Sequence, residues 1–113
     1  MHELSIVLSI VDAVTKEVYR QEAHAVSRIE LEIGNLAGIE WDSFEFAWPP
    51  AIKGTVLENA ERIVNHIPAI AVCAECGHEF EKKEPFDACP ICDTYLHQLK
   101  SGKELKIKSL LIT

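Results

Sequence analysis

The chain has 113 residues, 48% of them hydrophobic, which fits one small globular domain, or one domain with an insert, and excludes a disordered chain. No apolar run approaches the roughly 20 residues that a membrane-spanning helix needs. The formal net charge of −7 argues against nucleic-acid binding, because proteins contact phosphate through lysine and arginine. The chain begins Met1-His2-Glu3 with no basic segment or cleavage site of a secretion signal, so we predict a cytoplasmic protein.

The first predicted elements are a helix and a strand. Apolar residues recur at helical spacing from about residue 3 to about residue 22, which predicts an amphipathic helix: Leu4, Val7, Leu8, Val11, Val14 and Val18. Residues 27–34 then alternate between apolar and charged side chains and end at Gly34. This alternation predicts a half-buried strand with Ile29, Leu31 and Ile33 on its apolar side.

A second helix is predicted from Glu40, with Trp41, Phe44 and Trp48 on one face. Pro49 and Pro50 should end it. Residues 60–72 favour a second strand, interrupted by Pro68, and residues 104–108 favour a third that runs into an apolar tail.

These elements predict an α+β fold. We expect a small three-stranded mixed sheet with two helices on one face, because each strand has only one strongly apolar side. The predicted domains are a helix–sheet domain over 1–70 and 100–113 and an inserted subdomain over 71–99, whose two C-x2-C pairs are typical of a zinc ribbon. The ribbon is too short to bury much apolar surface, so we expect Phe80, Phe86 and Tyr95 to form its miniature core.

The insert carries all four cysteines of the chain: Cys73, Cys76, Cys89 and Cys92, in the pattern C-x2-C-x12-C-x2-C. Two short chelating turns across a hairpin-sized gap are typical of tetrahedral zinc sites. A closed four-cysteine site has no open position, so its zinc would be structural. Two disulfides, a rubredoxin-like iron site and a redox dithiol are the alternatives.

The amino terminus is the second candidate metal site. A bulky second residue generally blocks removal of the initiator methionine, which leaves Met1 with a free amine beside His2. The amine, the His2 amide and the His2 ring nitrogen can close adjacent chelate rings around nickel(II) or copper(II). Amides of a first helical turn have no intrahelical acceptor, so their deprotonation breaks no helix hydrogen bond.

With its cysteine pattern and its amino terminus taken together, the chain resembles the HypA/HybF family of hydrogenase nickel-incorporation proteins over essentially its whole length. The residues that carry the resemblance, in family order, are Met1-His2-Glu3-Leu4-Ser5, Leu31–Gly34, Phe44–Ala47, Lys53–Thr55, Glu58–Glu61, the two cysteine pairs and Gly102–Leu105. Two positions depart from the family pattern. Asn59 stands where glycine is usual, and Pro49-Pro50 predicts a shorter second helix than the family has.

The resemblance implies a nickel metallochaperone, not an enzyme, that delivers Ni(II) to the large subunit of nickel–iron hydrogenase with the GTPase HypB as partner. His2, the Met1 amine and Glu3 are the implied nickel ligands. Glu40 is a further candidate oxygen donor, and Asp42 is a less favoured one. Supply to urease is also permitted. The alternative is a zinc-ribbon adaptor that binds a protein without transporting metal. We expect no nucleic-acid or membrane partner.

Overall fold

The computed structural model describes residues 2–113. Two helices and six strands follow in chain order: α1 (His2–Arg20), β1 (Val26–Gly34), α2 (Trp41–Ile52), β2 (Glu61–Ile67), β3 (Ala69–Cys73), β4 (Glu79–Lys82), β5 (His97–Ser101) and β6 (Leu105–Ile112). The predicted order of helix, strand, helix, strand, insert and strand is confirmed.

The first sheet has the strand order β2-β1-β6. Ala25 and Thr113 exchange backbone hydrogen bonds of 3.2 and 2.9 Å, and the Gly34 amide donates to Glu104, so β1 and β6 run antiparallel. The pairs Arg28–Glu61 and Asn35–Ile67 join the starts and the ends of β1 and β2, which are therefore parallel. The α+β class with a small mixed sheet and two helices is confirmed.

The insert contains a second sheet that the sequence reading did not resolve. Its order is β4-β3-β5, with antiparallel pairing on both sides of β3. Pro68 separates β2 from β3, as predicted from the break in the second strand. In the register of this sheet Ala71 lies opposite Phe80, and Cys73 lies opposite His97.

The chain forms two compact units, each with its own apolar core. The first comprises residues 1–31, 39–64 and 107–113, and the second comprises 32–38 and 65–106. Fully buried side chains of the first unit include Val7, Val14, Ile29, Leu31, Phe44 and Leu57. The second unit has a much smaller core: Ala71, Cys73, Phe80 and Cys89, with Leu99 packed against them.

The miniature core predicted for the insert was right for Phe80 and wrong for the other two rings. Phe80 is 8% exposed, whereas Phe86 is 84% and Tyr95 67% exposed. Two cysteine side chains occupy the interior that the rings were expected to fill.

The buried face of α1 also differs from the predicted stripe. Its buried residues are Glu3, Val7, Ile10, Val14 and Val18, while Leu8 is half exposed. Spacings of three and four residues fit either set of apolar residues, and only tertiary packing chooses between them. A carboxylate, Glu3, thus occupies the first position of the core-facing stripe.

The prediction that Pro49 and Pro50 end α2 was wrong, because the helix continues to Ile52. Each proline lacks an N–H and removes a hydrogen bond from the last turns. Packing of the aromatic face offsets that loss. The Arg62 guanidinium of β2 lies 5.0 Å from the Trp48 ring centre and 5.8 Å from those of Trp41 and Phe44, and it pairs with Glu45.

Gly34 is needed because two backbones meet there. A Cβ at this position would lie 2.2 Å from the carbonyl carbon and oxygen of Gly102, which is far inside van der Waals contact. We therefore expect Gly34→Ala to destabilise the protein by about 1–3 kcal/mol and to lower the melting temperature by at least about 4 °C.

Gly38→Asn is the matched control for this substitution, measured by thermal unfolding under the same conditions. Gly38 has a φ of 80° and open space around it, which asparagine tolerates. Equal melting temperatures for wild type and Gly34→Ala would contradict the close approach.

Candidate metal centres

The four cysteine sulfurs lie together at one end of the β4-β3-β5 sheet. They all fall within 4.8 Å of one another and form the only group of three or more metal-ligating side chains found among residues 2–113. Cys73 and Cys89 are buried, and Cys76 and Cys92 are exposed. The structure therefore brings together all four residues that the sequence pattern singled out.

Two loops of the same geometry hold these sulfurs. The Cys73 amide donates to the His78 carbonyl at 2.9 Å, and the Gly77 amide donates to the Cys73 carbonyl at 3.1 Å. Sixteen residues later the second loop repeats both bonds, Cys89 to Thr94 at 3.0 Å and Asp93 to Cys89 at 2.9 Å. Each loop thus turns a cysteine pair toward the other.

The residue after the second cysteine of each loop has a positive φ. It is Gly77 in the first loop, at 73°, and Asp93 in the second, at 58°. The sequence reading identified only the glycine. Asp93 could have been found by superposing the two cysteine pairs, because aspartate is among the few residues that adopt this conformation readily.

The sulfur separations fit a tetrahedral metal ion and not disulfides. The measured distances are 3.4 Å for Cys73–Cys92, 3.6 Å for Cys76–Cys89 and 3.8 Å for Cys76–Cys92. Zn–S bonds of about 2.3 Å place sulfurs about 3.8 Å apart at tetrahedral angles. A disulfide would need about 2.05 Å, and all four cysteines are free.

Backbone amides prepare this site for negative charge. The amides of Cys76 and Glu75 each donate to the Cys73 sulfur at 3.4 Å, and these two bonds, together with hydrogen bonds of the Cys92 and Cys76 thiols, lower the pKa of Cys73 to about 6. The Thr94 amide lowers the pKa of Cys92, but the neighbouring Cys73 sulfur, burial and the other sulfurs outweigh it and raise that pKa to about 12. Four crowded thiols can ionise together only if a cation balances their charge.

The structure places the amino-terminal candidates on α1 and at the start of α2. Met1 lies outside the described residues. The His2 side chain is 69% exposed, and its Nδ1 lies 3.7 Å from the Glu3 carboxylate. Glu40 and Asp42 are exposed at the beginning of α2.

Glu3 differs from these exposed neighbours because its side chain is buried. It is 7% exposed as a residue, and its Oε2 accepts a hydrogen bond of 3.0 Å from the Glu40 amide. That bond lowers the pKa of Glu3, so the carboxylate is ionised in the folded protein at neutral pH. Its stabilising effect is present above the ordinary pKa of a glutamate and is lost as the pH falls through the lowered value.

Sequence reasoning missed a buried lysine in the insert. Lys82 is 3% exposed, and its Nζ donates to the Pro85 carbonyl at 2.7 Å and lies 2.8 Å from His97 Nε2. His97 also makes an edge contact with Phe80. Nothing in the alternating charges of the insert distinguishes Lys82 from exposed Lys83. The ring of His78 stacks on Phe80, and its backbone serves the first cysteine loop.

Comparison with known proteins decides the family. The family model described as "Hydrogenase/urease nickel incorporation, metallochaperone, hypA" matches residues 1–112. The chain belongs to the HypA family. It is 46% identical to the hydrogenase maturation factor HypA of Chlorobium limicola, over 99% of this chain and 97% of that protein. It is 43% identical to HypA of Parabacteroides distasonis, with the same two coverages.

Solved structures share the fold of this HypA-family chain. The solution structure of the Ni metallochaperone HypA from Helicobacter pylori superposes with a TM-score of 0.66 at 20% identity, over 97% of this chain and 96% of that one. A second HypA solution structure gives 0.68 at 22% identity, over 100% and 97%. Among the described residues, neither helix is long and apolar enough to cross a bilayer.

The four-cysteine site generates a prediction about metal and folding. We expect one zinc per chain and expect replacement of Cys89 by alanine to release it and unfold the insert. The first unit should survive because it has its own core. Both tryptophans of the chain, Trp41 and Trp48, lie in α2, so their fluorescence reports on the first unit alone.

Elemental analysis and amide exchange of residues 69–101 measure zinc and the order of the insert. Gln98→Ala, a substitution of an exposed residue in the same sheet, is the control and should keep both. Iron in place of zinc, or an ordered insert without any metal, would contradict the assignment.

Proposed function

We propose that this protein is a nickel metallochaperone that binds Ni(II) at its amino terminus and helps to insert it into nickel–iron hydrogenase. The observation that carries the proposal is the exposed His2 at the start of α1 in a chain of this family. An exposed site at a helix end suits a carrier, because a partner can replace the ligands one at a time.

The proposed nickel ligands are the Met1 amine, the His2 amide and His2 Nδ1, and the carboxylate of Glu3, which the resemblance implies as a further ligand, lies 3.7 Å from Nδ1. Planar nitrogen donors suit nickel(II). The His2 amide lies in the first turn of α1 and has no intrahelical acceptor, so it can lose its proton without weakening the helix. The chemistry that nickel later performs belongs to the enzyme that receives it.

The zinc of the proposed site would be structural. Cys73, Cys76, Cys89 and Cys92 would take all four tetrahedral positions and leave none for a substrate. On this proposal residues 71–99 fold around the ion, as the sequence predicts for the domain boundaries. No residue of this chain is proposed to be catalytic.

The proposed partners are a HypB-type GTPase and the hydrogenase large subunit, and the proposed compartment is the cytoplasm. The alternative is a zinc-ribbon adaptor without metal transport. The exposed side chains Phe86, Ile91, Tyr95 and Leu96 around the second cysteine loop favour that second function, because an adaptor needs an apolar contact surface.

Nickel titration of tag-free protein separates the two functions. We expect His2→Ala to abolish nickel binding without loss of zinc or helical signal, because Nδ1 closes the chelate. An amino-terminal extension should do nearly the same by removing the free amine.

His24→Ala is the matched control, because His24 is an exposed histidine outside the proposed site. It should bind nickel like wild type. Unchanged nickel affinity in His2→Ala would leave the adaptor as the better description.

The nickel site should also lose affinity as the pH falls. Amine, amide and imidazole donors bind nickel only without their protons, and ordinary imidazoles and terminal amines titrate near about 6.5 and about 7.7–8.0. We therefore expect a steep fall in affinity between about pH 7.5 and about pH 6. Zinc followed in the same samples should stay bound over that window. A flat nickel affinity would contradict the amine–amide–imidazole chelate.

A further inference from the structure

The beginning of α2 receives its hydrogen-bond acceptor from another helix. Glu40 is the N-cap residue of α2, and its own side chain makes no capping bond. The acceptor comes instead from Glu3, 37 residues earlier in the chain, whose Oε2 lies 3.0 Å from the Glu40 amide nitrogen. A carboxylate beside a helix amino terminus also opposes the positive end of the helix dipole.

The same oxygen faces the proposed nickel site. Glu3 Oε2 lies 3.7 Å from His2 Nδ1 on one side while it accepts the Glu40 amide on the other. Glu3 occupies the core-facing stripe of α1 and is buried, whereas His2 points into solvent. One buried carboxylate oxygen therefore lies between the imidazole that would bind nickel and the start of α2.

We propose that Glu3 is a positioning residue for nickel rather than a ligand. Its hydrogen bond with the Glu40 amide, here called the clasp, links the start of α1 to the start of α2 and so holds His2 in place. The inference rests on the proposed nickel function. It assigns nickel to the amine, amide and imidazole nitrogens. The carboxylate remains on the Glu40 amide when the metal is bound.

Movement of the buried Glu3 carboxylate toward a metal ion would break an existing hydrogen bond and so cost free energy. A carboxylate that turned toward a nickel ion would leave the Glu40 amide without its acceptor at a helix end that has no side-chain cap. The exposed Asp42 carries the same charge in the first turn of α2, and it can be altered without touching this bond. The clasp is thus separable from the general acidity of the region.

Two substitutions of Glu3 distinguish a residue that positions His2 from one that coordinates nickel. Glu3→Gln keeps an oxygen that accepts the Glu40 amide but is a poor ligand, and Glu3→Ala removes the acceptor. We expect nickel affinity within about twofold of wild type for Glu3→Gln and at least about tenfold weaker for Glu3→Ala. Asp42→Asn is the charge control and should match wild type.

Amide exchange of Glu40, followed by NMR on the same proteins, reports on the clasp directly. We expect exchange at least about tenfold faster in Glu3→Ala only, and no acceleration in wild type when nickel is added. Measurements are made below the melting transition of every variant, with tryptophan fluorescence as the check that α2 is folded.

Three results would overturn the inference. Glu3→Gln could lose nickel as Glu3→Ala does while its Glu40 amide stays protected, which would make the carboxylate a ligand. Nickel could accelerate exchange of Glu40 in wild type, which would mean that the metal takes the carboxylate. Glu3→Ala could bind nickel like wild type, which would leave the bond a purely structural one. If wild type itself binds no nickel, the proposed function fails as well.

Discussion

The four-sulfur cluster is the constraint on which the second unit depends. Its core contains only a few small and aromatic side chains besides Cys73 and Cys89, too little apolar surface for a fold of this size to be stable alone. A divalent ion at the sulfurs would supply the missing free energy, with apparent values of about 10–16 kcal/mol at neutral pH. With such an ion, folding and metal binding would be one equilibrium in this unit.

The first unit is organised differently, around the apolar stripe of α1 and the aromatic face of α2. Arg62 lies over three aromatic rings and joins β2 to that face, and the helix that carries the rings continues through two prolines. At the beginning of α2 the Glu3 carboxylate accepts a hydrogen bond from the amide of the N-cap residue Glu40. Charged residues of other elements thus contact both the aromatic face and the beginning of this helix. The proposed nickel ligand His2 is the chain neighbour of Glu3, so the placement of His2 depends on tertiary packing as well as on sequence.

The donor atoms and the exposure of each proposed metal site fit the proposed role of its metal. The cysteine site offers soft thiolates, two of them buried, in a closed arrangement that suits a resident ion. The amino terminus offers nitrogen donors on an exposed helix end, which suits an ion that must leave. The chain that carries both candidate sites belongs to a family of nickel-incorporation proteins.

Local sequence patterns by themselves predicted the order of the elements, the apolar side of β1 and the grouping of the four cysteines into one site. They could do so because periodicity and spacing are properties of residues close together in the chain. They did not determine which of two overlapping stripes of α1 is buried, that Phe86 and Tyr95 face solvent, or that α2 passes Pro50. Those outcomes depend on residues distant in the chain, such as Arg62 for α2. The buried Lys82 and the bond from Glu3 to the Glu40 amide belong to the same class. From sequence alone a charged side chain is expected to face solvent. Only the tertiary structure shows that Glu3 and Lys82 are buried, because their hydrogen-bond partners are supplied by the fold.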